Sequence, residues 1–464
     1  MSLQTRSSIS ATLASEIAAL ELADVPEHVR ERAKLLILDT LGVQLAAVEL
    51  ESSRTVIGAM VDLGGAEEAG IVGSGRRVAA PNAALANGAL VHALDFDDTH
   101  LPAQVHVSGG VLPAALAAAE RRSCSGADLL AGFIAGAEVS VRVGMAAPGR
   151  FNDNGYHATG VCGAFGAAAA AARVMGLDAG RLAHALGLAG SQASGTMAFL
   201  DDPGSWVKRL HPGWAAHAGY YAAFLAGHGY TGPAGVFEAA YGGLYASHVR
   251  DGFDPGVLTA PLEDHWQTAR IGLKPYPTGQ FNIPFMDAAR RLVDEEGIAL
   301  EDIDRIVCHI AERAVATVCE PLDAKRRPET GYAGKFSLPY SVAAMLVRGR
   351  ATLREFEDEA ARDEAILRVS DKIEYVIDPD ADFPRYYPAW VVVVLEDGRE
   401  LERREPINLG HPENPLSAEQ VLAKFRANAE RLLDAATAGR LAELVLDLEA
   451  APDVAAITRL ACAR

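Results

Sequence analysis

The sequence predicts a mostly α-helical fold: a large all-helical domain that carries a smaller inserted α+β lid domain. Three observations predict it. Helical periodicity dominates residues 8–265 and returns after Pro406, whereas β-rich runs are confined to the stretch between them. Half of the 464 residues are apolar but only 6% are aromatic, which describes a large core of small aliphatic side chains. The implied division is residues 1–268 with 405–464 as the helical domain and 269–404 as the α+β lid.

The elements follow in order. Thr12 to Leu20 and Val29 to Ala47 read as amphipathic helices, with Pro26 just before the second. Asn82 to Leu94, Ala114 to Arg121, Gly126 to Met145 and Arg181 to Ala193 follow the same pattern. Gly160, Gly163 and Gly166, followed by Ala167 to Ala172, leave one helix almost bare of side chains. Small residues permit close approach between helices, so this one is expected at the centre. Arg305 to Ile310, Lys372 to Ile377 and Ala389 to Leu395 are β-rich, and Asp397-Gly398 before Leu401 predicts a hairpin. Phe285 to Glu296, Ser341 to Val347 and Leu353 to Val369 are read as helices between the strands. Ser417-Ala-Glu-Gln420 is a capping box that opens a helix through Ala429, and another is expected from Arg440 to Glu449.

Charge and cysteine usage exclude several classes of function. Sixty-one acidic residues against 42 Lys and Arg give a formal net charge of −19, which argues against nucleic acid and anionic membrane as partners. Only seven of the cations are lysine, so an anionic substrate requires positive charge concentrated locally. Five scattered cysteines without a C-x-x-C predict no disulfide framework and a reducing cytoplasm. No charged segment followed by an apolar one opens the sequence, and no apolar run reaches the length of a membrane span. Gly73-Ser-Gly75 lacks a third glycine at Val78, so it is not a dinucleotide fingerprint.

Four constellations carry possible chemistry. His92-Ala-Leu-Asp95-Phe-Asp97-Asp98-Thr99-His100, followed by His106, crowds carboxylates into an apolar context. Such burial is costly without partners. It reads as a substrate site at a helix end, as a metal site, or as helix capping; the substrate site is the reading adopted, with no metal. Gly155-Tyr156-His157-Ala-Thr159-Gly160 opens the glycine/alanine helix, whose free N–H groups suit a carboxylate. Tyr156 and His157 are both candidate proton carriers, and a capping or core role for His157 is the alternative. Val207-Lys208-Arg209-Leu210-His211-Pro212 is an anion site or a solvated turn. Lys274-Pro-Tyr-Pro277 sits where helical character gives way to α+β. A lysine desolvated at such a junction becomes a usable base; an exposed hinge lysine is the alternative.

With these motifs the sequence resembles the MmgE/PrpD family over nearly its whole length. The resemblance is carried by His92-Ala-Leu-Asp-Phe-Asp-Asp-Thr99, His106-Val-Ser-Gly109, Gly155-Tyr-His-Ala-Thr159, Lys274-Pro-Tyr-Pro277, Lys335-Phe-Ser-Leu-Pro-Tyr340 and Gly410-His-Pro-Glu-Asn-Pro-Leu-Ser417. The family includes 2-methylcitrate dehydratase, cis-aconitate decarboxylase and iminodisuccinate epimerase. The resemblance implies a homodimer without metal or organic cofactor, a small di- or tricarboxylate substrate, and a site between the helical domain and the lid. It implicates Asp95, Thr99, His106, His157, Lys208 and Lys274. Many relatives carry a further histidine after the lysine, where this chain reads Gly279-Gln-Phe-Asn-Ile283, and a tyrosine where it reads Glu312-Arg-Ala-Val315. These departures tip the expectation toward an epimerase that abstracts and returns a proton α to a carboxylate. Lys274, Tyr156, His157 and Asp95 are then the expected catalytic residues, with Thr99, His106, Lys208 and Gly160 binding the substrate. A dehydratase or decarboxylase is the alternative, and a non-catalytic carboxylate-binding protein a further one.

Overall fold

The computed structural model describes residues 8–202, 204–250, 252–383 and 385–462. The fold is mostly α, as expected, and the chain divides into two compact units: Met1–Gly272 with Ser417–Arg464, and Leu273–Leu416. The sequence reading put these changes at 268/269 and 404/405. The second boundary lies later because Leu273 N donates to Gly410 O at 3.0 Å, which ties the segment after the last strand to the start of the second unit.

The first unit is built around the helix Ala158–Val174, whose residues are buried with the exception of Arg173. Its bare surface has the purpose read from the sequence. A Cβ on Gly136 would lie 2.6 Å from the Gly166 carbonyl, so neither the helix Gly126–Met145 nor its neighbour tolerates a larger side chain at the crossing. The helices Ser108–Arg122 and Val207–Gly227 also pack on it. The second of these is 21 residues long and was not legible as a helix, because Pro212 inside it reads as a breaker. Glu27–Ala47 starts just after Pro26, and Ala418–Ala429 opens with the expected Ser417/Gln420 capping box. These two helices pack together although almost the whole chain separates them. Gly73-Ser-Gly75 forms the turn of a small hairpin between β1 (Ala69–Ile71) and β2 (Arg76–Val78).

The second unit holds a four-stranded sheet. β3 (Ile303–Ile310) pairs in parallel with β4 (Ile373–Ile377) and antiparallel with β5 (Ala389–Leu395), and β5 turns through Asp397-Gly398 into antiparallel β6 (Glu400–Glu405). Alternate residues Ile306, Cys308, Ile310, Val391 and Val393 enter one core with side chains of Ile283–Glu296 and Leu338–Arg348. The other face carries His309 stacked on Trp390 at 3.8 Å, with the Arg404 guanidinium over the same indole. The helix expected over Leu353–Val369 is instead three short pieces. The Thr352 and Asp363 side chains each accept a backbone N–H and start a new turn, which competes with one continuous helix. The last expected helix runs from Ala435 to Leu446, earlier than read, because Asp434 caps it. Among the described residues no helix is long and apolar enough to cross a membrane.

Candidate active site

In the first unit, the segment after the helix Ala80–His92 gathers most of the residues singled out from the sequence. Asp95 takes a left-handed backbone conformation with φ 53°. This conformation is uncommon for any residue except glycine and is best tolerated by Asp and Asn. It leaves the carboxylate buried and 3.0 Å from Lys208 Nζ, which the first turn of Val207–Gly227 delivers from more than a hundred residues away. Thr99 is fixed by its backbone, which exchanges hydrogen bonds with Gly272 at 3.0 and 2.9 Å. Thr99 Oγ1 lies 3.1 Å from His106 Nδ1, and that nitrogen donates to the Asp98 carbonyl at 2.8 Å. The His106 amide in turn donates to Thr159 Oγ1 at 3.1 Å.

The three carboxylates of the motif have separate tasks. Asp97 accepts from His92 Nδ1 at 2.8 Å, and both side chains are fully buried. Asp98 accepts from the amides of Val107 and Ser108 at 3.0 and 3.1 Å and from the Ser108 hydroxyl. It therefore caps Ser108–Arg122 from a distance, and burial still pushes its carboxyl up to about 7. The capping alternative describes Asp98, then, while Asp95 faces a cation. Beneath the loop, Lys424 Nζ reaches the Asp39 carboxylate at 2.8 Å and the Phe96 carbonyl at 2.9 Å, and it sits 3.7 Å over the Phe96 ring.

His157 joins this group and Tyr156 does not. The His157 ring lies 5.7 Å from His92, 6.4 Å from His106 and 5.2 Å from His211. Burial, followed by the positive influence of His92, Lys208, His106 and His211, holds it well below the ordinary histidine range. Tyr156 packs its ring against His248 at 4.5 Å. Gly160 is a packing residue: a Cβ there would lie 2.4 Å from the Ser194 carbonyl. Its amide donates to His157 O at 2.9 Å, and the Ala158 amide donates to Asn152 Oδ1 at 3.0 Å. Arg209, beside Lys208, reaches Ser52 Oγ at 3.1 Å.

Ligand atoms of His92, His106 and His157 lie within 4.8 Å of one another, as do those of His92, Asp95 and Asp97. Among the described residues of the first unit, these are the groups that could hold a metal ion. The histidines of this set, with Lys208 and Thr99, present a cation and N–H and O–H donors, which is what a carboxylate requires.

The second unit brings its own motifs together around Lys274, which is buried. Tyr276 donates to Asp287 Oδ1 at 2.7 Å. Thr278 Oγ1 and the Gly279 amide donate to the Lys335 carbonyl at 2.7 and 2.8 Å. Asn282 Nδ2 adds bonds to Thr278 Oγ1, Lys335 O and Ser341 Oγ. Residues 278–282, which follow Lys274-Pro-Tyr-Pro277, are thus tied to Lys335 and Ser341, and Leu273 pairs with Gly410 of the third motif.

Sequence reasoning left His211 and Lys424 without a site role, and it did not separate His92 and Asp97 from the rest of their motif. His211 lay in a quoted cation cluster. Lys424 had a detectable signal, since it shares the buried face of its helix with Val421, Phe425 and Asn428.

Known proteins resemble this chain over nearly its whole length. Residues 11–255 match the MmgE/PrpD N-terminal domain and residues 276–450 the MmgE/PrpD C-terminal domain. The chain is 32% identical to cis-aconitate decarboxylase of Homo sapiens, over 98% of this chain and 94% of that one. It is 30% identical to a cis-aconitate decarboxylase-like protein of Aspergillus oryzae, over 97% of each. A 2-methylcitrate dehydratase of Salmonella typhimurium is 24% identical, over 90% of this chain and 89% of that one.

Proposed function

The chain belongs to the MmgE/PrpD family, and from that premise we propose that it is a cofactor-independent lyase that decarboxylates a small unsaturated tricarboxylate such as cis-aconitate. Membership makes it an enzyme of the isomerase or lyase class, so the non-catalytic reading falls away. The relatives favour the lyase over the epimerase to which the sequence reading leaned, because they are named as decarboxylases and a dehydratase.

The observation that carries the proposal is the grouping of Asp95, Lys208, Thr99, His106 and His157 in the first unit. In a decarboxylation the bond to the departing CO2 breaks and its electron pair passes to a carbanion conjugated with a remaining carboxylate. A proton then adds to carbon, so one proton is consumed for each CO2 released. Lys208, His106 and Thr99 supply fixed charge and donors for the acid and its developing negative charge. His157, kept neutral by burial, is suited to deliver the proton. Lys274 is assigned the second proton-handling role on its motif. The enzyme is assigned to the cytoplasm, as a homodimer.

The test is incubation with cis-aconitate in deuterated water, followed by NMR. Loss of CO2 with one deuterium carbon-bound in the unsaturated product supports the proposal. Solvent deuterium at the α-carbon of a dicarboxylate with no other change would revive the epimerase. Water loss from 2-methylcitrate, with no decarboxylation, would favour the dehydratase that the Salmonella relative suggests.

A further inference from the structure

His157 and His211 meet nitrogen to nitrogen, with their Nδ1 atoms 3.0 Å apart. Two imidazoles can do this only if one Nδ1 carries a proton and the other a lone pair. The rings have little room to rearrange. Both are buried, at 6% and 4% exposure. The His157 amide is tied to the Gly195 carbonyl at 2.7 Å, and a Cβ at Gly195 would already lie 3.3 Å from His211 Nδ1. Phe199 meets both rings edge-on, at 5.8 and 5.9 Å. Both rings are buried beside His92, His106 and Lys208, so an added positive charge on the pair is disfavoured. The pair is therefore neutral and shares a single bridging proton. The position of that proton decides what His157 offers at its other nitrogen. A proton on His157 Nδ1 leaves a lone pair at Nε2, whereas a proton on His211 Nδ1 leaves His157 with Nε2–H.

We propose that His211 is a positioning residue that sets the tautomer of His157: His211 Nδ1–H donates to His157 Nδ1, so that His157 presents Nε2–H to a bound carboxylate. This rests on the reading of the site as a carboxylate site. An anion facing a bare Nε2 would set lone pair against lone pair, whereas Nε2–H gives a hydrogen bond and a deliverable proton. When that proton goes to carbon, the bridging proton moves from His211 Nδ1 to His157 Nδ1 while a solvent proton enters at His211 Nε2, so neither ring becomes an anion. The reverse shift, with a proton taken up at His157 Nε2 and one released from His211 Nε2, restores the starting tautomers. The logic is that of a histidine held in its working tautomer by a partner at Nδ1, with an imidazole as the partner.

The test uses the full chain with 15N-labelled histidine and tricarballylate, a tricarboxylate without a double bond, as the ligand. Long-range 1H–15N correlation should show His157 protonated at Nε2 and bare at Nδ1. His211→Leu should shift His157 toward the other tautomer and lower kcat by about 10²-fold with little change in KM. His211→Asn, whose side-chain N–H can donate from nearly the same place, should restore the tautomer and most of kcat. A wild-type spectrum with His157 protonated at Nδ1 overturns the proposal even if the variants fail to fold. So does a His211→Leu enzyme with an unchanged tautomer and kcat. Failure of tricarballylate to bind would remove the carboxylate-site reading, and the proposal with it. Binding with the wrong tautomer would remove the role of His211 alone.

Discussion

Lys208 shows how much of this site depends on single side chains. It is one of only seven lysines in a chain of net charge −19, and it lies beside a buried aspartate and a histidine that burial keeps neutral. Lys208→Ala should raise KM for the acid about tenfold or more, equivalent to about 1.4 kcal/mol of lost binding. An unchanged KM would argue against its role. Lys274→Ala should instead lower kcat by about 10²-fold to 10⁴-fold while circular dichroism and Tm stay near wild type. Near-normal turnover would sink that assignment. Asp98 gives a prediction in pH. Its carboxyl stands at 3.8 in the reference state and at about 7 when folded. A group that binds its proton more tightly when folded favours the fold most below the lower value, and that advantage is lost as pH rises through the upper one. The stability difference between wild type and Asp98→Asn should therefore drift against wild type from about pH 4 to pH 7 and flatten above. A difference independent of pH over that range would contradict it.

At the scale of elements, the site is set by two helix ends and by what lies beneath them. Asp98 satisfies three donors at the start of Ser108–Arg122, so Asp98→Ala should destabilise the protein by about 1–3 kcal/mol, read as a fall in Tm. Lys424, on a helix near the end of the chain, supports the loop that presents Asp95. Lys424→Met leaves the Asp39 carboxylate buried without this cation and should cost about 3–5 kcal/mol in urea unfolding. Adding Asp39→Asn should recover much of that. Additive losses in the double variant would mean that the two side chains do not act as a pair.

At the scale of the molecule, the first unit has an apolar surface that a solvated monomer would not be expected to keep. Val207, Trp214 and Tyr221, one heptad apart on the helix Val207–Gly227, are exposed, Trp214 at 49%. A groove of about 440 Å³ runs between Met60, Leu85, Trp206, Leu210 and Trp214. Such a patch is the kind of surface that association buries, and the homodimer proposed above predicts that it is covered. Trp214→Asp should shift the sedimenting species toward monomer without unfolding it. A wild-type protein that sediments as a monomer would remove the dimer from the proposal.

Local chemistry was legible in the sequence because it is written in neighbouring residues. The central glycine/alanine helix, the Ser417 capping box, the Asp397-Gly398 hairpin and the motif from His92 to Thr99 all depend on spacing within a few positions. Two local features misled. Pro212 concealed a long helix, and Thr352 and Asp363 divided what the apolar pattern joined. The lean toward an epimerase rested on missing side chains, a weaker signal than the residues present. Only the tertiary structure could assign partners across the chain: Lys208 to Asp95, Lys424 to Asp39 and His211 to His157. Periodicity shows which face of a helix is buried, but the partner of a buried charge or imidazole depends on how distant helices cross. It is that crossing which separates a capping carboxylate from one facing a cation, and Tyr156 from His157.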